Sequence, residues 1–188
     1  MKSIIVAITG ASGAIYGVRL LQILQEKRIK VYLTVTPAAE INLQLETGIT
    51  AKKLAKFATA SYAPDDLAAP IASGSFQVEG MVIVPCSTKT IAAVATGISD
   101  NLIARAADVC LKERRPLVMV TRETPLNQIH LRNMLTLARA GAIILPASPA
   151  FYHKPDTINQ LIDHVVGKIL DALEIEHSLF KRWQGLEN

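Results

Sequence analysis

Short β-rich apolar runs recur along the chain at Ile4 to Ile8, Val31 to Val35, Met81 to Val84, Leu117 to Val120 and Ala142 to Leu145, each continuous and without polar alternation. A strand wetted on one face alternates, so continuity predicts strands covered on both faces, as in a parallel sheet between helical layers. Between the runs the period changes. Val18, Leu21 and Leu24 recur at three-residue steps, and Leu102, Ala106 and Val109 mark a later stripe, the signature of helices with one buried face. Strand and helix in alternation imply an α/β chain with a doubly wound, mainly parallel sheet.

The breakers agree with that order. Gly10 and Gly13 follow the first run, Pro37 follows the second, and Pro85 and Pro146 are expected to close two others. The stretch from Gly48 to Gly80 reads as a helix followed by a loop reaching toward a site, and a last helix is expected from about Pro155 to Leu173. At 188 residues the length suits one domain spanning 1–188, with 174–188 as a C-terminal tail carrying Lys181, Arg182 and Trp183.

Composition narrows the partners. The net charge is +4, but the cations are interspersed with acids, so a small anionic ligand is expected and no nucleic acid. Hydrophobic residues form 50% of the chain and charged ones 19%, a balance suited to subunits that bury surface against copies of themselves. Cys86 and Cys110 lie in apolar segments, which suggests neither a disulfide framework nor a metal knuckle. The histidines show no HExxH or paired spacing, so no metal is expected. The first apolar run is too short for a signal peptide and no segment approaches the ~20 residues of a membrane span. A cytoplasmic protein away from membranes is the expectation.

Ligands of an open parallel sheet collect at the carboxyl ends of its strands, where helix N-termini present free N–H groups. The first such end is Thr9-Gly10-Ala11-Ser12-Gly13-Ala14. Its GxxG spacing differs from the GxGxxG dinucleotide fingerprint, and Ser12 either caps the helix or faces a ligand. Thr36-Pro37 is the second, with Thr36 as a helix cap or a ligand contact. In the third, Pro85-Cys86-Ser87-Thr88-Lys89-Thr90, three hydroxyls and an ammonium at a helix start make a phosphate cradle or a plain capping turn. The fourth, Thr121-Arg122-Glu123-Thr124-Pro125, sets a cation beside an acid. Arg105, Asp108 and Lys112 share one helical face, either as a solvated stripe or as part of a site. Glu46 stands near a helix end, poorly placed against that helix's dipole.

Taken in order, TGASGAIYG, LET, PCSTKT, NLIARAADVCLKERRPLVMVTRETPL, HLRNML and PAFYHKP resemble the flavin prenyltransferase family, formerly described as aromatic acid decarboxylases. The resemblance runs from about Lys2 to Trp183. It implies a Rossmann-like (flavodoxin-like) three-layer sandwich that transfers the dimethylallyl group of dimethylallyl phosphate to N5 and C6 of reduced FMN without a metal. The prenylated FMN is expected to serve a partner UbiD-like decarboxylase, in ubiquinone biosynthesis or aromatic-acid detoxification. Carried over by motif, Gly10, Ala11, Ser12, Thr36, Ser87, Thr88, Lys89, Thr90 and Arg122 would hold FMN. Tyr152 and Lys168 would hold the dimethylallyl phosphate, with Arg105, Lys112, Arg122 and Glu123. Ser12, Glu46, Glu123 and Lys112 are the catalytic candidates; Glu46, Glu123 or the departing phosphate would accept the proton lost on ring closure. Lys168 stands where many members have arginine. The family also implies a homododecamer with sites at subunit junctions.

Three rival readings remain at this stage. A flavin-dependent cysteine decarboxylase needs a catalytic histidine early in the chain, whereas the first here is His130. A flavin-binding carrier would do no chemistry, and a direct aromatic-acid decarboxylase would release carbon dioxide unaided.

Overall fold

The computed structural model describes residues 2–185; residue 1 and residues 186–188, the ends of the expected domain and tail, lie outside the described residues. The strands are β1 (Ser3–Ile8), β2 (Lys30–Val35), β3 (Ala60–Tyr62), β4 (Gly80–Cys86), β5 (Leu117–Thr121) and β6 (Ile143–Pro146). They form one six-stranded sheet in the order β3-β2-β1-β4-β5-β6, with every pair parallel. The chain direction reverses across the sheet between β1 and β4, the switch point at which such sheets open a crevice.

Helices cover both faces: α1 (Ala14–Glu26), α2 (Pro37–Thr47), the single turn α3 (Ala51–Leu54), α4 (Thr88–Ala95), α5 (Leu102–Lys112), α6 (Gln128–Arg139) and α7 (Ile158–Ala172). Alternate residues of each strand point to opposite layers, and both sets are apolar. Ile4, Val6 and Ile8 pack with Leu20, Leu21 and Leu24 of α1 and with Val166 and Ile169 of α7. Ile5, Ala7, Met81 and Ile83 pack with Ile91 of α4, Leu102 and Ala106 of α5 and Leu137 of α6. Each such leucine or isoleucine contributes about 1.5–3 kcal/mol by leaving water, which explains why the runs are continuous. Gly17 lets α1 lie close to the sheet, since a Cβ there would stand 2.8 Å from the Val84 carbonyl oxygen and 2.9 Å from Ile8 Cδ1.

Two local expectations change. Pro85 does not close β4. The pairing with β5 is irregular between Ile83 and Cys86 and resumes at Cys86 opposite Thr121, because proline lacks the N–H a ladder needs but leaves the next residue free to pair. The stretch from Gly48 to Gly80 holds, besides a short helix and a loop, the edge strand β3. Its residues Ala60, Ser61 and Tyr62 are only partly covered, so this strand needs no apolar run and has no signature of one.

Candidate functional site

At the carboxyl end of β1 the chain turns through Gly13 in the left-handed region (φ 103°) and enters α1 with no side-chain cap and no acid in the first turn. Ser12 is not the cap. Glu46, at the far end of α2, reaches across instead: its carboxylate oxygens accept from the Gly13 N–H at 2.9 and 3.1 Å and from the Ala14 N–H at 2.8 Å. The carboxylate that opposes the dipole of its own helix thus sits at the positive end of another, where it is stabilising. A second anion has no vacancy at the start of α1.

The next two strand ends are capped by their own hydroxyls. Thr36 Oγ1 accepts from Ala39 N–H at 3.2 Å, so the capping reading holds for Thr36. Ser87 Oγ accepts from Thr90 N–H at 3.3 Å and lies 3.0 Å from Thr90 Oγ1. Thr9 joins β1 to β4 at the switch point, donating to the Pro85 carbonyl at 2.9 Å and accepting from Ser87 N–H at 2.7 Å. Among the described residues no acceptor meets the N–H of Thr88 or Lys89, the first two residues of α4, as expected where a helix start faces a ligand.

Over these ends opens a cleft of about 640 Å³, into which Gly10, Thr36, Ser87, Thr88, Lys89 and Thr90 project. Its volume is that of a site for one cofactor-sized ligand. The walls divide chemically: the hydroxyls, free N–H groups and Lys89 gather at α4, while Pro37, Ala38, Ala93 and Ala104 are apolar. That combination fits a molecule with one phosphate and a flat ring system, as in a flavin mononucleotide. With α1 occupied by Glu46, the second phosphate of a dinucleotide finds no equivalent cradle.

Arg122, just beyond β5, donates from Nε to the Ser12 carbonyl at 3.1 Å, bringing the fourth strand end against the glycine turn. Ala11 is buried and Ser12 exposed. Tyr16 beside them has its phenol pushed up by burial, an effect partly offset by the Arg122 charge. Glu123 is exposed and accepts from Thr124 N–H at 3.0 Å. Cys86 is fully buried and its thiol is pushed up by desolvation; burial likewise pushes Cys110 up to about 11. Neither is poised as a nucleophile.

None of Ala11, Ser12, Glu46, Arg122 and Glu123 lines this cleft, and neither do four further expected residues. Arg105 donates from Nε to the Ala72 carbonyl at 3.0 Å and pairs with Asp108 at 2.9 Å. Lys112 pairs with Glu113 at the last turn of α5, whose first turn is the part that reaches the cleft. Tyr152 lines a separate pocket of about 240 Å³ together with Arg182 and Trp183. Lys168 lies on α7, 3.4 Å from Asp171.

Pro64 and Asp65, from the loop expected to reach toward a site, line the cleft; sequence reasoning missed Asp100 and Asn101, which also line it. Asn101 carried a usable signal, an asparagine immediately before an apolar helical run, and it does cap α5 by accepting from Ala104 N–H at 3.0 Å. The loop comes to the cleft because the Pro64 carbonyl accepts from Leu102 N–H at 2.7 Å, a pairing no local pattern encodes. Among the described residues no cluster of His, Cys, Asp or Glu could hold a metal ion, and no helix is long and apolar enough to cross a membrane.

Residues 1–182 match the family model described as Flavoprotein. The chain is 51% identical to the flavin prenyltransferase LpdB of Lactiplantibacillus plantarum, over 98% of this chain and 100% of LpdB. Among solved structures, AnUbiX (PadA1) in complex with FMN and dimethylallyl pyrophosphate superposes with a TM-score of 0.97 at 47% identity, covering 99% of each chain. A dodecameric FMN-dependent UbiX-like decarboxylase from Escherichia coli O157:H7 superposes with a TM-score of 0.95 at 47% identity, covering 97% of this chain and 100% of that one.

Proposed function

The chain belongs to the Flavoprotein family and, within it, to the flavin prenyltransferases, and from that premise we propose how its own residues carry the reaction. It is an enzyme that transfers the dimethylallyl group of dimethylallyl monophosphate to reduced FMN. The observation that carries the assignment of FMN is the phosphate cradle at the start of α4, in a cleft also lined by Pro37, Ala38, Ala93 and Ala104 and away from the start of α1, where Glu46 accepts the first N–H groups. When bound, reduced FMN supplies the electron-rich N5 and C6 that take up the prenyl group.

The cleft lining supports roles for Gly10, Thr36 and the start of α4, and the family motifs supply the others. The N–H groups of Thr88 and Lys89, the hydroxyls of Ser87 and Thr90 and the Lys89 ammonium hold the flavin phosphate. Gly10, Ala11, Ser12 and Thr36 border the ring, and Arg122 fixes the glycine turn. A monophosphate leaves poorly unless its charge is drawn off, and here Arg122, Arg105, Lys112, Lys168 and Tyr152 do so without a metal. Both Glu46 oxygens already accept backbone N–H groups, whereas Glu123 has only its neighbour's. That difference favours Glu123 as proton acceptor, with Ser12 relaying at the ring.

Because Lys112 and Tyr152 lie away from the cleft, the full set is gathered from neighbouring subunits. Support comes from the dodecameric relative and from uncovered apolar residues on α6 and β6, among them Ile129, Leu131, Leu135 and Ile143. A homododecamer in the cytoplasm, handing prenylated FMN to a UbiD-like decarboxylase, is the proposed setting.

The test is anaerobic mixing of the purified protein with reduced FMN and dimethylallyl monophosphate, followed by mass spectrometry of the flavin. A gain of one C5 unit, lost in Ser12→Ala or Glu123→Gln, is the expected outcome; a flavin that binds but stays unchanged would make the protein a carrier. Truncation after Leu179 should raise the apparent KM for the prenyl phosphate and leave FMN affinity unchanged, because Trp183 packs on Tyr152 with ring centroids 5.7 Å apart and no described residue of the tail lines the FMN cleft. An unaltered KM would remove the tail from substrate binding.

A further inference from the structure

Asp171 on α7 gathers an unusual number of donors. Arg182 of the tail gives it two, from Nη1 at 3.2 Å and Nη2 at 2.6 Å, His177 approaches with Nε2 at 3.1 Å, and Lys168 with Nζ at 3.4 Å. Arg182 foremost, and His177 after it, hold the Asp171 carboxyl down at about 2, against the opposing effect of its burial. His177 cannot rotate away: its ring is 1% exposed, and its Nδ1 accepts from Leu179 N–H at 3.2 Å. That bond leaves the proton on Nε2, the nitrogen that faces Asp171. The Arg182 guanidinium further lies 5.6 Å over the Phe180 ring. The tail is therefore pinned, with both terminal nitrogens of the Arg182 fork on Asp171 and Nη2 also 3.3 Å from His177 Nε2.

What that fork borders is the pocket of about 240 Å³, lined by Tyr152, Lys181, Arg182 and Trp183. The pocket is too small for a nucleotide and offers a phenol and two cations beside an aromatic wall, the chemistry of a short apolar chain carrying a phosphate. Lys168, expected to bind that phosphate, is not among its lining residues; its side chain is 53% exposed and turned to Asp171. Resting on the prenyl-transfer reading above, we infer that Arg182 adds a guanidinium contact to the phosphate ester beyond the groups already proposed, and that Asp171 is the positioning residue that presets it. Preset geometry matters because an arginine on an unpinned tail would lose side-chain and backbone freedom on binding, and that loss would subtract from affinity.

The test uses full-length protein and the single tryptophan, Trp183, as reporter. Dimethylallyl monophosphate is titrated into protein holding oxidised FMN, which cannot react, and the Trp183 emission gives its Kd. Turnover with reduced FMN is measured separately. In Arg182→Ala the Kd should rise on the order of 10- to 100-fold, the size of a lost charge-assisted hydrogen bond, with FMN affinity unchanged. Arg182→Lys should recover only part, since a point charge replaces a fork. Lys168→Arg placed in the Arg182→Ala background should restore part of the affinity. Asp171→Asn should raise KM for the prenyl phosphate with kcat nearly constant. The inference is overturned if Arg182→Ala leaves that Kd within about twofold of wild type, or weakens FMN and prenyl phosphate alike. Wild type that binds the prenyl phosphate in an Arg182-dependent way yet never alters the flavin would sustain the Arg182 contact and overturn prenyl transfer.

Discussion

Replacing Glu46 by alanine is expected to lower flavin affinity and turnover together, with prenylation falling on the order of 100-fold, about the product of two lost charge-assisted bonds. The side chain supplies the only acceptors found among the described residues for the N–H groups of Gly13 and Ala14, and that helix has neither a cap from its own N-cap residue nor an acid in its first turn. Losing a cap costs about 0.5–2 kcal/mol of stability, and the lower half of that range applies because Glu46 is exposed. The larger consequence is local. Gly13 holds a left-handed backbone (φ 103°) next to the residue whose carbonyl anchors Arg122, so the turn, Ser12 and Arg122 loosen as a unit. Glu46→Gln retains an oxygen acceptor and should keep FMN, separating the capping role from any part in proton transfer. Isothermal titration with FMN and the flavin mass assay on both variants check this; normal turnover in Glu46→Ala would show that the turn stands without its clamp.

The second large effect belongs to Gly10. A Cβ there would stand 2.6 Å from the Ala38 Cβ, in the first turn of α2. Neither atom is the tip of a flexible side chain, so the glycine turn or α2 must shift, at about 1–3 kcal/mol for an overpacked contact. Gly10, Thr36 and Ala38 line the same cleft, and Glu46 sits at the other end of α2, so Gly10→Ala should weaken FMN by at least about 10-fold besides lowering Tm. The double variant Gly10→Ala with Ala38→Gly removes the collision and should recover most of the affinity, less about 1 kcal/mol of stability for a glycine in a helix. Fluorescence titration of FMN across the cycle measures it. Additive losses in the double variant would mean that the two residues do not press on each other.

Much of the cleft was readable without coordinates. Ser87 caps α4 and Thr36 caps α2 because the capping preference is a matter of a few consecutive residues. The glycine turn and the strand ends fell where apolar runs stop, since burial on both faces leaves no other way to write such a strand. The same local logic left Ser12 open between a cap and a ligand contact, and the cap comes instead from Glu46 at the end of α2. It was silent on β3, a three-residue edge strand whose pairing is decided by β2 and not by its own composition.

Strand count apart from that edge, the layered order and the donor-rich helix start of α4 were determined by the sequence, since periodicity and capping act over a handful of residues. Only the tertiary structure decided that Glu46 closes α1 and that the Pro64 carbonyl, accepting from Leu102 N–H, holds its loop against the start of α5. It alone decided that Lys112 ends a helix whose other end reaches the ligand, and that Asp171 clamps Arg182. Each of these joins segments far apart along the chain, and such contacts depend on how the helices pack on the sheet, which no short window of residues encodes.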